Sequence, residues 1–144
     1  MEPKICEPQT EKEFEKYYEL RWKMLRKTWN QPKGSEKDER EGESTHIMAR
    51  TDDKVVGVGR VHFNSIAEAQ VRYMAVEEGY QGGGIGGLIL KALEGRVEKK
   101  GAKYIVLDAR ENAVGFYKKH GYRIIAKSYL LFGCIQHWKM RKDL

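Results

Sequence analysis

The sequence predicts a mixed α/β fold, with a central, mostly antiparallel sheet flanked by helices on both faces. Three observations carry that expectation. Short β-branched segments joined by tight turns fill residues 45–76, and a glycine cluster at 82–87 runs directly into an apolar helical stripe. A strand pattern at 103–109 follows that stripe, so its helical crossover makes it parallel to the strand before. At 144 residues the chain holds one core, and a single domain over residues 1–144 is expected.

Lys4 to Glu7 reads as a short opening strand closed by Pro8. Thr10-Glu11-Lys12-Glu13 has capping-box spacing, in which the Thr oxygen and the Glu13 carboxylate satisfy free backbone donors at a helix start. Phe14, Tyr17, Tyr18, Arg21, Leu25 and Trp29 share one face, which predicts an amphipathic helix over about 11–29. Residues 30–44 are almost devoid of apolar side chains and read as a loop. Strands are expected at 45–50, 55–63 and 68–76, with a turn at Asp52-Asp53. Ile85, Leu88, Ile89, Ala92, Leu93 and Val97 form the next helix, stopped at Gly101. A strand at 103–109, a short helix at 111–120 and a hairpin of 122–132 with 135–140 complete the chain.

Composition excludes several classes. Hydrophobic residues make up 40% and charged residues 33%, which is neither a disordered nor a membrane balance. Apolar runs such as Leu88-Ile89-Leu90 fall far short of the roughly 20 residues that span a bilayer. The first 16 residues lack a basic start followed by an apolar stretch, so a cytoplasmic setting with Cys6 and Cys134 as reduced thiols is expected. The formal charge is +6, and residues 102–144 carry nine basic and three acidic side chains. That surplus suits a polyanionic partner. No basic stripe interleaved with aromatics is present, so neither nucleic acid nor membrane is expected as the partner.

Gln81-Gly82-Gly83-Gly84-Ile85-Gly86-Gly87 sits between a strand and a helix, where free N–H groups and the helix dipole favour a phosphate. Gly82-x-Gly84-x-x-Gly87 fits the dinucleotide fingerprint, and Asp108 lies where a ribose-binding acid would sit. Only 36 residues follow Asp108, however, too few for the second half of a dinucleotide fold. The triphosphate loop fails because Leu88, not Lys, follows Gly87. A tight packing turn is the plainer alternative.

The same run fits Gln-x-x-Gly-x-Gly as Gln81, Gly84 and Gly86, and with VRYMAVEEGYQGGGIGGLILKALE it resembles the acetyl-CoA motif of the GNAT N-acetyltransferase superfamily. AVGFYKKHGY resembles the superfamily's second CoA-proximal motif, and Gly133-x-Ile135-x-His137 resembles its ElaA-like branch. The resemblance covers essentially the whole chain. It implies a GNAT-like fold with a splayed parallel strand pair, and transfer of an acetyl group from acetyl-CoA to a primary amine without an acyl-enzyme intermediate. The cofactor would contact Met74, Ala75 and Val76 along the splayed strand and Gln81, Gly82, Gly83, Gly84, Ile85, Gly86 and Gly87 at the loop. Arg110, Lys118 and Lys119 would stand beside it. No metal is expected, and a homodimer fits the resemblance.

Tyr117 matches the superfamily's general-acid tyrosine; a phenol, with a reference pKa of about 10, stays protonated where a thiolate of about 8.5 must leave. Arg110 occupies the position where the superfamily often has Asn, and Gln136 stands where Pro usually precedes the closing His. His137 is the first choice of general base, with Glu77, His46 or water as alternatives. His62 and His120 have no supporting context. Five acidic residues among the eight charges of the 30–44 loop would offer a cationic amine an acidic rim, or simply be solvated. Arg60 and Arg72 would pair on the strand surface or meet a substrate carboxylate. A CoA-binding sensor without turnover is the alternative function.

Overall fold

The computed structural model describes residues 2–144 and gathers seven strands into one sheet. In chain order the elements are β1 (Lys4–Cys6), α1 (Glu11–Leu25), β2 (Thr45–Thr51), β3 (Lys54–Phe63), β4 (Glu68–Val76), α2 (Ile85–Lys99), β5 (Tyr104–Arg110), α3 (Val114–Lys119), β6 (Arg123–Leu131) and β7 (Ile135–Asp143). The sheet order is β1-β2-β3-β4-β5-β7-β6, antiparallel throughout except for the parallel β4–β5 pair. The meander and the parallel crossover follow the expected pattern. The closing hairpin joins the sheet through its second strand, and β7 runs to Asp143 rather than 140.

The capping box forms as the spacing requires: Glu13 N–H donates to Thr10 Oγ1 at 3.1 Å, and Thr10 N–H donates back to Glu13 Oε1. The helix ends at Leu25 rather than 29. Lys27–Trp29 tightens into a 3₁₀ turn and Asn30 enters the left-handed region at φ 57°. Trp22 Nε1 then donates to Gln31 O at 3.0 Å and pins the reversed chain. The helix expected at 111–120 likewise opens as a 3₁₀ turn over Glu111–Ala113 before α3.

Two cores sit on opposite faces of the sheet. Ile85, Ile89 and Leu93 of α2 and Tyr117 of α3 pack with Ile47, Val71 and Ile105 on one side. Tyr17 and Leu20 of α1 cover Met48, Val55 and Val58 on the other. Gly59 admits α2 closely: a Cβ there would lie 2.7 Å from Ile89 Cγ2 and 2.7 Å from Met74 Sδ.

What opens the sheet is a bulge. Pairing between β3 and β4 slips between Val58↔Ala75 and Arg60↔Arg72, and Tyr73 takes φ 57°. The parallel β4–β5 pairing stops at Val71↔Leu107. Beyond that point residues 72–76 leave their parallel neighbour, and a cleft opens between the strands.

Candidate active site

Val71, Arg72, Tyr73 and Met74 of β4 and Leu107 to Arg110 of β5 form opposite walls of this cleft, a cavity of about 110 Å³. Tyr117 from α3, His137 from β7, Tyr129 from β6 and Leu25-Arg26 from the end of α1 close it. Tyr117 and His137, 20 positions apart in sequence, therefore line one space.

Tyr117 is 8% exposed, held edge-on by Phe116 and Tyr122. Burial pushes its hydroxyl pKa up, which keeps the proton on the oxygen. The hydroxyl has no protein hydrogen-bond partner among the described residues. His137 is buried and stacks on Tyr129 with ring centroids 4.4 Å apart. Nδ1 lies 3.0 Å from the Ile135 carbonyl, which can only accept, so Nδ1 carries the proton and Nε2 the lone pair. Burial lowers the His137 pKa, outweighing the Ile135 hydrogen bond, and the Arg110 charge lowers it further. The ring is neutral at neutral pH.

The glycine run divides into two functions. Gly82 and Gly84 take φ 82° and 88°, and an added Cβ on either would meet open space. Gly86 and Gly87 serve packing instead. A Cβ on Gly86 would lie 3.2 Å from the Phe116 ring, and one on Gly87 2.8 Å from His120 Cε1. Tight packing thus accounts for two of the five glycines. His120, which lacked any context in the sequence, packs against the first turn of α2 at Gly87. The first bond within α2 runs from Leu88 N–H to Gly84 O, leaving the Ile85, Gly86 and Gly87 N–H groups without helical acceptors. Gln81 donates through Nε2 to Val76 O at 2.9 Å, tying the loop to the end of β4. Lys118 and Lys119 are exposed on α3.

Arg110 lies in the cleft wall, where its NH2 donates to Leu25 O at 3.3 Å. The other two proposed bases lie elsewhere. His46 uses both ring nitrogens, to Tyr17 Oη and the Glu41 carbonyl, each at 2.9 Å. Glu77 accepts from Lys23 Nζ at 2.7 Å in a separate groove lined by Lys54 and Tyr80. Among the described residues no group of three or more His, Cys, Asp or Glu is placed to hold a metal ion.

The acidic rim is corrected by the structure. Asp38 accepts from Arg60 at 2.6 Å and Arg72 at 3.0 Å, while Glu41 accepts from Arg21 at 2.9 Å and Arg60 at 2.7 Å. Arg21 and Arg60 are wholly buried, so Arg60 is no surface pair. Unpaired carboxylates here would cost too much to bury, and the loop is folded inward by the arginines it neutralises. Tyr73 completes the cluster, with the guanidinium carbons of Arg21, Arg60 and Arg72 at 4.4, 4.9 and 4.6 Å from its ring centroid. Nothing in the spacing of Tyr73 announces a left-handed residue inside a strand.

The family model for the acetyltransferase (GNAT) domain matches residues 8–144. The uncharacterized N-acetyltransferase YjcF of Bacillus subtilis is 35% identical over 133 residues, 92% of this chain and 94% of that protein. Among solved structures, Escherichia coli ElaA superposes with a TM-score of 0.80 at 16% identity, covering 99% of each chain. An aminoglycoside 6′-N-acetyltransferase complexed with coenzyme A gives 0.81 at 19% identity, over 97% of this chain and 96% of that one.

Proposed function

Since the chain belongs to the GNAT acetyltransferase family and is an N-acetyltransferase, we propose that it moves the acetyl group of acetyl-CoA to a primary amine by direct attack on the thioester. One observation carries this reading. The Tyr117 side chain and the neutral His137 line a single cleft at the point where β4 leaves β5. The residues present fit a cofactor bearing a pyrophosphate: three free N–H groups open α2, and the space over Gly82 and Gly84 is clear.

Acetyl-CoA supplies an activated acyl carbonyl and a thiolate leaving group. The backbone of Gly82 to Gly87 would hold the phosphates, with Lys118 and Lys119 adding charge from α3. Met74, Ala75 and Val76 would line the pantetheine arm, and an N–H of Met74 or Ala75 would be available to polarise the thioester carbonyl. Gln81 holds the loop against β4. His137 Nε2 takes the proton that the acceptor ammonium must lose, directly or through a water, and Tyr117 gives its proton to the departing sulfur. Residues 1–144 act as one domain in the cytoplasm, in the ElaA-like branch. A homodimer forms along edge strand β6, where Ile124, Ile125 and Leu130 are exposed.

The test is Tyr117→Phe, assayed by free-thiol release with an amine panel and by calorimetry with CoA. The turnover number is expected to fall about 100-fold, within the range of a lost general acid, while CoA affinity holds within about twofold. An unchanged turnover number, with chemistry shown to limit it, removes Tyr117 from this role. CoA binding with no amine turned over replaces the enzyme by a sensor.

A further inference from the structure

Arg26, just past the end of α1, and Arg110, at the end of β5, line the same cleft, and neither forms a salt bridge among the described residues. Arg26 spends Nε on Ser35 O at 3.0 Å and NH1 on Leu25 O at 3.1 Å. Arg110 spends NH2 on that same Leu25 carbonyl at 3.3 Å. Both are half-buried, and each retains N–H groups that bond to no protein atom. A third guanidinium, Arg72, lines the cavity and is already paired with Asp38.

The carboxylate in the wall, Asp108, is engaged elsewhere: Ser128 Oγ donates to it at 2.7 Å and Gln70 Nε2 reaches its other oxygen. Two cations thus share one carbonyl at the negative end of α1, with no carboxylate within salt-bridge distance of either among the described residues. Burial, and then the neighbouring Arg26 charge, lower the Arg110 pKa, as expected of two like charges held together out of water.

We infer that Arg26 and Arg110 form an oxyanion-binding subsite, and that the acceptor is a small amine that also carries a carboxylate or a phosphate. This rests on the N-acetyltransferase reading above. Planar guanidinium forks match the oxygen spacing of both anions, which a lone ammonium would not do. The acidic rim for a cationic amine loses its support at the same time, because Asp38 and Glu41 are consumed by Arg21, Arg60 and Arg72.

Matched pairs test this: L-lysine against cadaverine, which lacks only the carboxylate, and glucosamine 6-phosphate against glucosamine, which lacks only the phosphate. Each is assayed with saturating acetyl-CoA for kcat/KM, and titrated by calorimetry into CoA-saturated protein so that preference is read even where turnover is slow. In at least one pair the anionic member is expected to be favoured tenfold or more, and the favoured pair identifies the anion. Arg26→Gln and Arg110→Gln are each expected to bring that ratio toward one. Arg26→Lys, which keeps the charge and loses the fork, retains part of it.

Equal or reversed preference in both pairs, by turnover and by binding, overturns the inference while leaving the acetyltransferase reading intact. So does an Arg110→Gln variant that weakens CoA tenfold and leaves the ratio unchanged, since the arginine would then belong to the cofactor. Wild-type protein that binds no acetyl-CoA overturns the underlying reading itself.

Discussion

At the entrance to α2 the chain offers backbone donors from a single run of seven residues, Gln81 to Gly87, whereas at the end of α1 it assembles arginines from four separate elements. The first region is open, nearly free of side chains, and made by φ angles that only glycine adopts without strain. The second is sealed and cationic. Arg21 and Arg60 are buried completely, Asp38 and Glu41 are drawn in from the 30–44 loop, and Tyr73 lies among the guanidinia. The contrast bears on where each half of the proposed reaction would get its specificity. On that proposal cofactor recognition would rest on local backbone, and acceptor recognition on long-range electrostatics that are largely neutralised internally before Arg26 and Arg110 are left without a carboxylate partner.

The sharpest way to break this contrast is Arg60→Ala. Arg60 contributes one guanidinium group to two carboxylates and to His62 Nδ1 at 3.0 Å. Its removal leaves Asp38 to Arg72 alone and Glu41 to Arg21 alone, inside a cavity the size of the lost side chain. Urea unfolding is expected to show about 3–5 kcal/mol of lost stability, the range for breaking one partner of a buried ion pair. A loss below about 1 kcal/mol would mean that the cluster is ornamental and the two ends of the cleft are equally soft.

An acid titration sharpens the same point with a smaller effect. Burial alone would raise the Asp38 carboxyl, but the Arg60 hydrogen bond, the Arg40 N–H and the charges of Arg60 and Arg72 hold it at about 2. Burial likewise opposes Glu41, which the charge and hydrogen bond of Arg21 pull below its usual range. Both folded values are depressed. Their stabilisation is therefore complete above the unfolded carboxylate range, near pH 4, and is lost as pH falls through about 2 for Asp38. Unfolding free energy should decline over that interval in the parent chain and less steeply in Asp38→Asn. Parallel slopes for the two proteins would remove Asp38 from the cluster's energetics.

Legibility followed the same division. The glycine run, the capping box at Thr10 and the period-2 strands act over a few residues, so their spacing in the chain states their geometry. Tyr117 was equally readable, because its motif is contiguous with α3. The arginine cluster was not, since Arg21, Arg60 and Arg72 become neighbours only after β3 and β4 pair and α1 crosses them. Pattern reasoning left the acidic loop as a rim for a cationic amine or as a solvated face, because charge runs usually stay in water; here buried guanidinia outweigh that tendency. The end of α1 was overrun for a related reason. Trp29 continues the helical stripe in sequence, yet it packs toward Phe132 once the chain turns at Asn30.

The smallest expected effect belongs to the open end. Lys118 and Lys119 are exposed on α3, whose neighbouring His120 supports Gly87. Charges in that position act through water and are screened by salt, unlike the buried guanidinia across the cleft. Replacing both with Gln should leave the urea midpoint where it is and weaken CoA about two- to fivefold, the range of an exposed ion pair. The weakening should shrink as salt is raised from about 0.05 to 0.5 M, because the Debye length falls below the distance over which these side chains act. If affinity and its salt dependence are both unchanged, the positive surplus of residues 102–144 has no part in holding the cofactor. The phosphates would then rest on the α2 backbone alone, and the division between a backbone-read cofactor and a charge-read acceptor would become complete.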